Sequence, residues 1–421
     1  MLDEMQLLGR DLLTTNFLTG KTGRLALVFL AGMACIHVAS WWVISQRLPL
    51  GYQDFTIFYT AGRILSQGQG AQLYDNALQY RTQQGFAPYT AIRKGPLPYN
   101  HIPVEAVIFV PFSKLPYFQA YVLWNLFNVL LLAGALQILR PHLTALRGQS
   151  LSLGVLLGLA FFPVFIALVQ GQDILLLLPL LALTYSALRR NATLAAGCWL
   201  GLGLFRFTLV LPLVLILAWR RAWRLLGGFA LSSAFMAAAS AALVGWKTTL
   251  LYPAYVLRVE SRWVGPATSR DMPILRGLIE TALTGIVGPR IFVSIIVVLS
   301  LALLWFCSRR FDLNSHDPRF DLSFSLALMA AVLASYHAYS HDLSVLLIPV
   351  LLVANYCRMR SGTARVWTMV APMSVLFLTP LCAVLLFRMK LACLLAIVLL
   401  LWLGGIVREI SACSYPKQSW L

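Results

Sequence analysis

The sequence predicts an all-α integral membrane protein, a bundle of about 12 transmembrane helices with two long external loops carrying short helices. Three observations predict it. Of 421 residues, 59% are hydrophobic and only 11% are charged, far less charge than a soluble domain of this length exposes. Apolar runs of about 18–23 residues recur along the chain, each long enough at about 1.5 Å per residue to cross about 30 Å of hydrocarbon. The basic residues fall in short clusters between these runs, as the positive-inside rule requires. A net charge of +18 could suggest nucleic acid, but clusters such as Arg189-Arg190, Arg220-Arg221-Arg224, Arg309-Arg310 and Arg358-Arg360-Arg365 line no single face or tail, so no nucleic acid is expected.

Residues 1–23 read as an amphipathic lead-in on the cytoplasmic membrane face, without the cleavage pattern of a removed signal peptide. Residues 24–408 form one polytopic domain. With the basic clusters placed inside, 24–46 go out, 118–139 return, 150–169 go out and 174–188 return. The stretch 192–219 follows as two arms, 192–205 and 207–219, too short for comfortable crossing. It reads as a hairpin with Arg206 at its tip. Residues 222–244 go out, 290–308 return, 322–338 go out, 341–357 return, 366–387 go out and 389–407 return. Residues 409–421 are a cytoplasmic tail, and both termini lie inside. Short outer connections hold only Arg206, Arg388 and Lys390, whereas every inner loop between Arg140 and Arg365 is basic. The extracytoplasmic loops are 47–117 and 245–289.

Seven cysteines (Cys35, Cys198, Cys307, Cys357, Cys382, Cys393, Cys413) lie mostly within apolar runs and read as small buried residues. This threading collects Asp54, Asp75, His101, Glu105, Gln170, Gln172, Asp173, Arg206, His337, His341 and Asp342 on one side. A cation at the depth of Arg206 is costly unless paired, which makes it a functional candidate, the alternative being contact with headgroup phosphates. Asp54 heads "DFTIFYTAGRIL", where it suits both a helix N-cap and a catalytic acid, and the two roles are compatible. Asp75 reads as a turn residue and Glu105 as the start of an interfacial helix. Gln170 and Gln172 flank Gly171 at a tight turn. In "YHAYSH", His337 and His341 are four apart and could share a helix face, yet no H-E-x-x-H core is present. No metal and no cofactor are expected.

Five stretches taken in order resemble the family 87 glycosyltransferases: "DFTIFYTAGRILSQGQGAQLYD", "PYNHIPVEAVIFVPFSKLPYFQAYVLW", "GQDILLLLPLLAL", "GCWLGLGLFRFTLVLPLVLIL" and "SYHAYSHDLSVLLIP". The resemblance covers roughly residues 50–355. It implies a GT-C-type fold and transfer of a hexose, mannose being the family's best-known sugar, from a polyprenyl-phosphate donor to a glycolipid or glycan acceptor. The reaction is expected on the extracytoplasmic face of the inner (plasma) membrane. The family's acid falls on Asp54 as general base, its basic hairpin tip on Arg206, and its histidine turn on His337 and His341, for the donor phosphate. This chain has Arg206-Phe207 where the family commonly has Lys-Pro, and Tyr336 where Pro commonly precedes His, which leaves open which histidine is equivalent. Tyr59, His101, Gln170 and Gln172 are the candidate substrate-binding residues. Inverting transfer needs a base beside the acceptor and cations at the departing phosphate, and these residues supply both. A polytopic transporter or lipid flippase is the alternative, although no internal repeat supports it.

Overall fold

The computed structural model describes residues 21–87, 89, 95–144, 150–261, 268–312, 317, 319–359 and 366–412. The N-terminal lead-in up to residue 20, the tail from 413, Arg360 and Arg365 lie outside the described residues. The helices are α1 (Lys21–Ser45), α2 (Phe55–Ser66), α3 (Asn76–Gln84), α4 (Ala106–Ser113), α5 (Tyr117–Leu139), α6 (Leu151–Ala160), α7 (Phe162–Gln170), α8 (Ile174–Arg189), α9 (Thr193–Leu202), α10 (Phe207–Trp219), α11 (Trp223–Val244), α12 (Trp246–Ser261), α13 (Leu275–Leu283), α14 (Pro289–Ser308), α15 (Phe320–Leu333), α16 (Leu347–Met359), α17 (Trp367–Val375), α18 (Thr379–Ala383) and α19 (Leu395–Ala412). No strand occurs among the described residues.

Each of the twelve expected segments coincides with a helix or helix pair, but not all of them can cross a bilayer. Among the described residues seven helices are long and apolar enough, or up to nine if the bent pairs α6–α7 (76°) and α17 with 379–388 (56°) each count as one span. Helices α8 and α15, with 16 and 14 residues, reach only about 24 and 21 Å. They escape lipid by lying inside the bundle: every residue of α15 is buried, and most of α8 is too.

By length and hydropathy Thr193–Trp219 qualifies as a single span of 27 residues, yet the chain reverses within it. A Cβ on Gly197 would lie 1.9 Å from the Leu225 carbonyl oxygen, and one on Gly201 2.7 Å from that of Phe229. Helices α9 and α11 therefore pack backbone to backbone, as small residues permit in membrane proteins, and they run parallel. A straight helix would carry Trp219 about 33 Å from Gly197, whereas six residues of chain reach at most about 22 Å. Helix α10 must run back, and the reversal falls at Arg206, whose backbone is non-helical (φ −105°, ψ 54°). The expected hairpin is present.

The same register fixes a depth. From the level shared by Gly197 and Leu225, Arg206 is nine residues on and Val244 nineteen. At about 1.5–2 Å per residue, the hairpin tip stops roughly 10 Å short of the end of α11. Asp173 at the head of α8, Arg206 at the tip and the turn after α15 all lie at the ends of short helices, where they meet one another. The described residues of 48–124 that pack beside them form their own apolar cluster, a roof in which Phe55, Phe58, Tyr59, Tyr99, Phe109, Tyr121 and Trp124 are buried. Asp75 there caps α3, accepting from the Ala77 and Leu78 amides, a structural role as the sequence suggests. At the opposite end of α8 and α15, Asp321 is paired with Arg189 and accepts from the Tyr185 hydroxyl at 2.5 Å and the Asn355 amide at 3.0 Å.

Candidate active site

The site is organised by the turn between α7 and α8. Gly171 takes the left-handed conformation there (φ 63°), and a Cβ on it would lie 2.7 Å from that of Phe55, so the position admits glycine alone. Helix α5 pins the turn: the Trp124 indole donates to the Gly171 carbonyl at 2.9 Å, the Asn128 amide to that of Gln172 at 3.1 Å, and the Tyr121 hydroxyl to that of Val169 at 2.9 Å. The polar side chains of Gln170, Gln172 and Asp173 thus stand on a rigid support.

Asp54 meets two of them. Its backbone N–H donates to Gln170 Oε1 at 3.3 Å, and its Oδ2 accepts from Gln172 Nε2. It precedes α2 but makes no side-chain cap hydrogen bond, so the capping role open to it in the sequence is not used. The carboxylate is half-buried and faces the polar cluster.

Arg206 sits on the other side of Gln172, to whose Oε1 it donates. The same Nη2 is paired with Asp173 Oδ1, and Nη1 lies 3.2 Å from Asp342 Oδ1. With its side chain only 12% exposed, Arg206 is held by protein carboxylates and does not reach out to headgroups. Such pairing is what makes a buried guanidinium tolerable. Its Nε has no hydrogen-bond partner among the described residues.

The two histidines do not share a helix face. Residues 335–341 form an irregular turn, because α15 ends at Leu333 and the next helical turn starts at Asp342. His341 is buried, its Nε2 3.4 Å from Asp342 Oδ2. Burial holds its imidazole below the ordinary value of 6.5, opposed by the nearby charges of Asp342 and Asp54. His337 is half-buried, with its ring edge-on to Tyr339 at 4.8 Å. Asp342 is fixed by the Tyr339 amide at 2.8 Å.

His101 joins from the roof. Its Nδ1 lies 3.0 Å from Glu105 Oε2 and 3.5 Å from Asp173 Oδ2. The ring stacks on Tyr99 and meets the edge of Phe58, and its carbonyl accepts the Tyr74 hydroxyl at 2.7 Å. Burial and the Glu105 charge push the Tyr99 phenol well above its ordinary value, which keeps it a donor, here to the Ile102 carbonyl at 3.0 Å.

Of the residues singled out from the sequence, Asp54, His101, Gln170, Gln172, Arg206 and His341 join this network. Tyr59 does not: it is 2% exposed, with its hydroxyl donated to the Leu115 carbonyl and its ring against Phe86 and Tyr117. The sequence places Asp173 and Asp342 on this side without a role and suggests Glu105 only as the start of an interfacial helix, yet the three are the partners of His101 and Arg206. The i, i+4 spacing of His101 and Glu105 in "HIPVE" was a usable signal for one pair; nothing in sequence spacing joins Arg206 to Asp342, 136 positions away.

The family model described as Glycosyltransferase family 87 matches residues 101–335, more than half of the chain. The match takes in His101, Glu105, Gln170 to Asp173 and Arg206; it begins after Asp54 and ends before His337. No curated protein and no solved structure matches the chain.

Proposed function

The chain belongs to glycosyltransferase family 87, and from that membership we propose that it moves a hexose, mannose first among the candidates, from a polyprenyl-phosphate donor to a hydroxyl of a glycolipid or glycan acceptor. The reaction is an inverting displacement at the outer face of the inner membrane, with both termini inside. Asp54 is the general base. Arg206, with His341 and His337, meets the donor phosphate. Family membership favours this enzymatic reading over a transporter or flippase.

One observation carries the proposal: a single amide, that of Gln172, stands between Asp54 and Arg206 and hydrogen-bonds both. An amide with a hydrogen bond of about 2.9 Å at each end sets base and cation roughly 8 Å apart at most. In inverting glycoside hydrolases two carboxyl groups stand about 6.5–9.5 Å apart, one on the incoming and one on the departing side, and the Asp54–Arg206 spacing is comparable. Asp54 accepts the acceptor proton as the acceptor oxygen bonds to the anomeric carbon and the bond to the phosphate oxygen breaks. The departing lipid phosphate keeps the electron pair and needs positive charge rather than a proton. Arg206 is positioned for that, with Asp173 and Asp342 holding its fork.

The test is donor dependence. Purified protein in proteoliposomes is given polyprenyl-phosphate mannose, or the matching nucleotide sugar, with a glycolipid acceptor. The expected result is free polyprenyl phosphate and mannosylated acceptor in equal amounts from the lipid donor alone. Transfer from the nucleotide sugar instead would refute the assignment of the donor.

A further inference from the structure

We propose that His101, Glu105 and Asp173 form a binding site for one divalent cation of the zinc or manganese type. The three side chains each offer one ligand atom, and these atoms all lie within 4.8 Å of one another. Two edges of the triangle are already short, 3.0 Å from His101 Nδ1 to Glu105 Oε2 and 3.5 Å from Nδ1 to Asp173 Oδ2. Metal–ligand bonds of about 2.0–2.2 Å put tetrahedral ligands about 3.3–3.6 Å from one another, so little adjustment is needed around His101.

Two further observations point to a missing positive charge. Both carboxylates are fully buried, and each keeps an oxygen with no hydrogen-bond partner among the described residues: Glu105 Oε1, and Asp173 Oδ2, the atom that faces His101. Buried carboxylate oxygens are normally paired or bound to a metal. The charge balance agrees. Four carboxylates, Asp54, Glu105, Asp173 and Asp342, share the cluster with one guanidinium among the described residues, Arg206, which pairs with Asp173 and Asp342 while Glu105 meets only the His101 imidazole. A divalent ion bound there would offset two of those negative charges.

One imidazole with two carboxylates is a donor set that suits zinc or manganese better than calcium or magnesium, whose sites are built from oxygen alone. Around it, Arg206 holds the other oxygen of Asp173, and Tyr99 and Phe58 fix the imidazole plane. Three protein ligands leave at least one position open. The site rests on these contacts and not on the reaction proposed above.

The test uses tag-free, full-length protein in nanodiscs, stripped with chelator, dialysed against Zn²⁺ or separately Mn²⁺, and analysed for bound metal without donor or acceptor. The expected result is about one ion per chain. Glu105→Gln, which preserves shape, weakens it by about ten-fold or more, and Asp173→Asn does so too. Addition of the ion raises the Tm of the native chain and not of the variants. Because Asp173→Asn also removes a partner of Arg206 and can unfold the chain, Glu105→Gln is the deciding variant. Absence of bound ion in the native chain, or equal binding by Glu105→Gln, overturns the proposal. Neither outcome bears on donor choice, which the transfer assay reads independently.

Discussion

Asp54→Asn separates chemistry from structure at the residue proposed as base. Asn keeps an acceptor for Gln172 and leaves the backbone N–H on Gln170. No helix cap is lost, because the carboxylate makes no cap hydrogen bond. What disappears is the charge and with it the ability to accept a proton. A positioned general base contributes about 10²–10⁴ in rate, or about 2.7–5.4 kcal/mol of transition-state stabilisation at 1.36 kcal/mol per tenfold. The stability change should stay within about 1 kcal/mol, the scale of one altered hydrogen bond. Initial rates of labelled sugar transfer from the polyprenyl-phosphate donor, with Tm measured on the same detergent-purified samples, read both quantities. A variant with unchanged Tm and activity within about threefold of the native chain would remove Asp54 from the mechanism.

Replacing Arg206 by Ala strands Asp173 and Asp342 in a buried site, at a cost of about 3–5 kcal/mol; Tm should fall sharply, and combining it with Asp173→Asn should restore part of the loss. Arg206→Lys keeps the charge, and Lys is what the family commonly has here, but not the fork that joins both carboxylates, so it should lower Tm while retaining measurable transfer, read as kcat in the same assay. Gly197→Ala pushes a methyl against the Leu225 carbonyl oxygen, 1.9 Å away, and should destabilise by about 1–3 kcal/mol, seen as a lower Tm. His341, facing Asp342, Asp54, Arg206 and His337, has its folded pKa held below 6.5 by burial. The unfolded chain therefore takes up the proton first, and stability falls as pH drops through 6.5. Thermal melts between pH 7.5 and 5 should show this slope, and His341→Gln should flatten it.

The spans were legible because lipid imposes length and hydropathy on any helix that faces it, and basic clusters mark one side. The hairpin was legible for the same reason inverted: two arms too short to cross, with an arginine between them. Helices α8 and α15 were read as ordinary spans because nothing in their composition distinguishes an apolar helix against lipid from one against protein. At the site, isolated polar residues among apolar runs announced themselves, and so Asp54, Arg206 and the glutamines were singled out. Their partners were not assigned, since Asp173 and Asp342 reach Arg206 by tertiary packing, which carries no local periodicity. Tyr59 shows the opposite limit: an aromatic beside a candidate acid looks like a sugar platform, yet its helical register turns it into the apolar cluster.

The length of the interior helices has a consequence for the surroundings of the protein. Because α8 and α15 are screened from lipid by their neighbours, stretching or thinning the bilayer exerts no direct pull on the segments that end at Asp173 and at the histidine turn. The level of Arg206 is written into the packing of glycine against carbonyl between α9 and α11. The outer helices can tilt to suit membranes of different thickness while that level stays fixed.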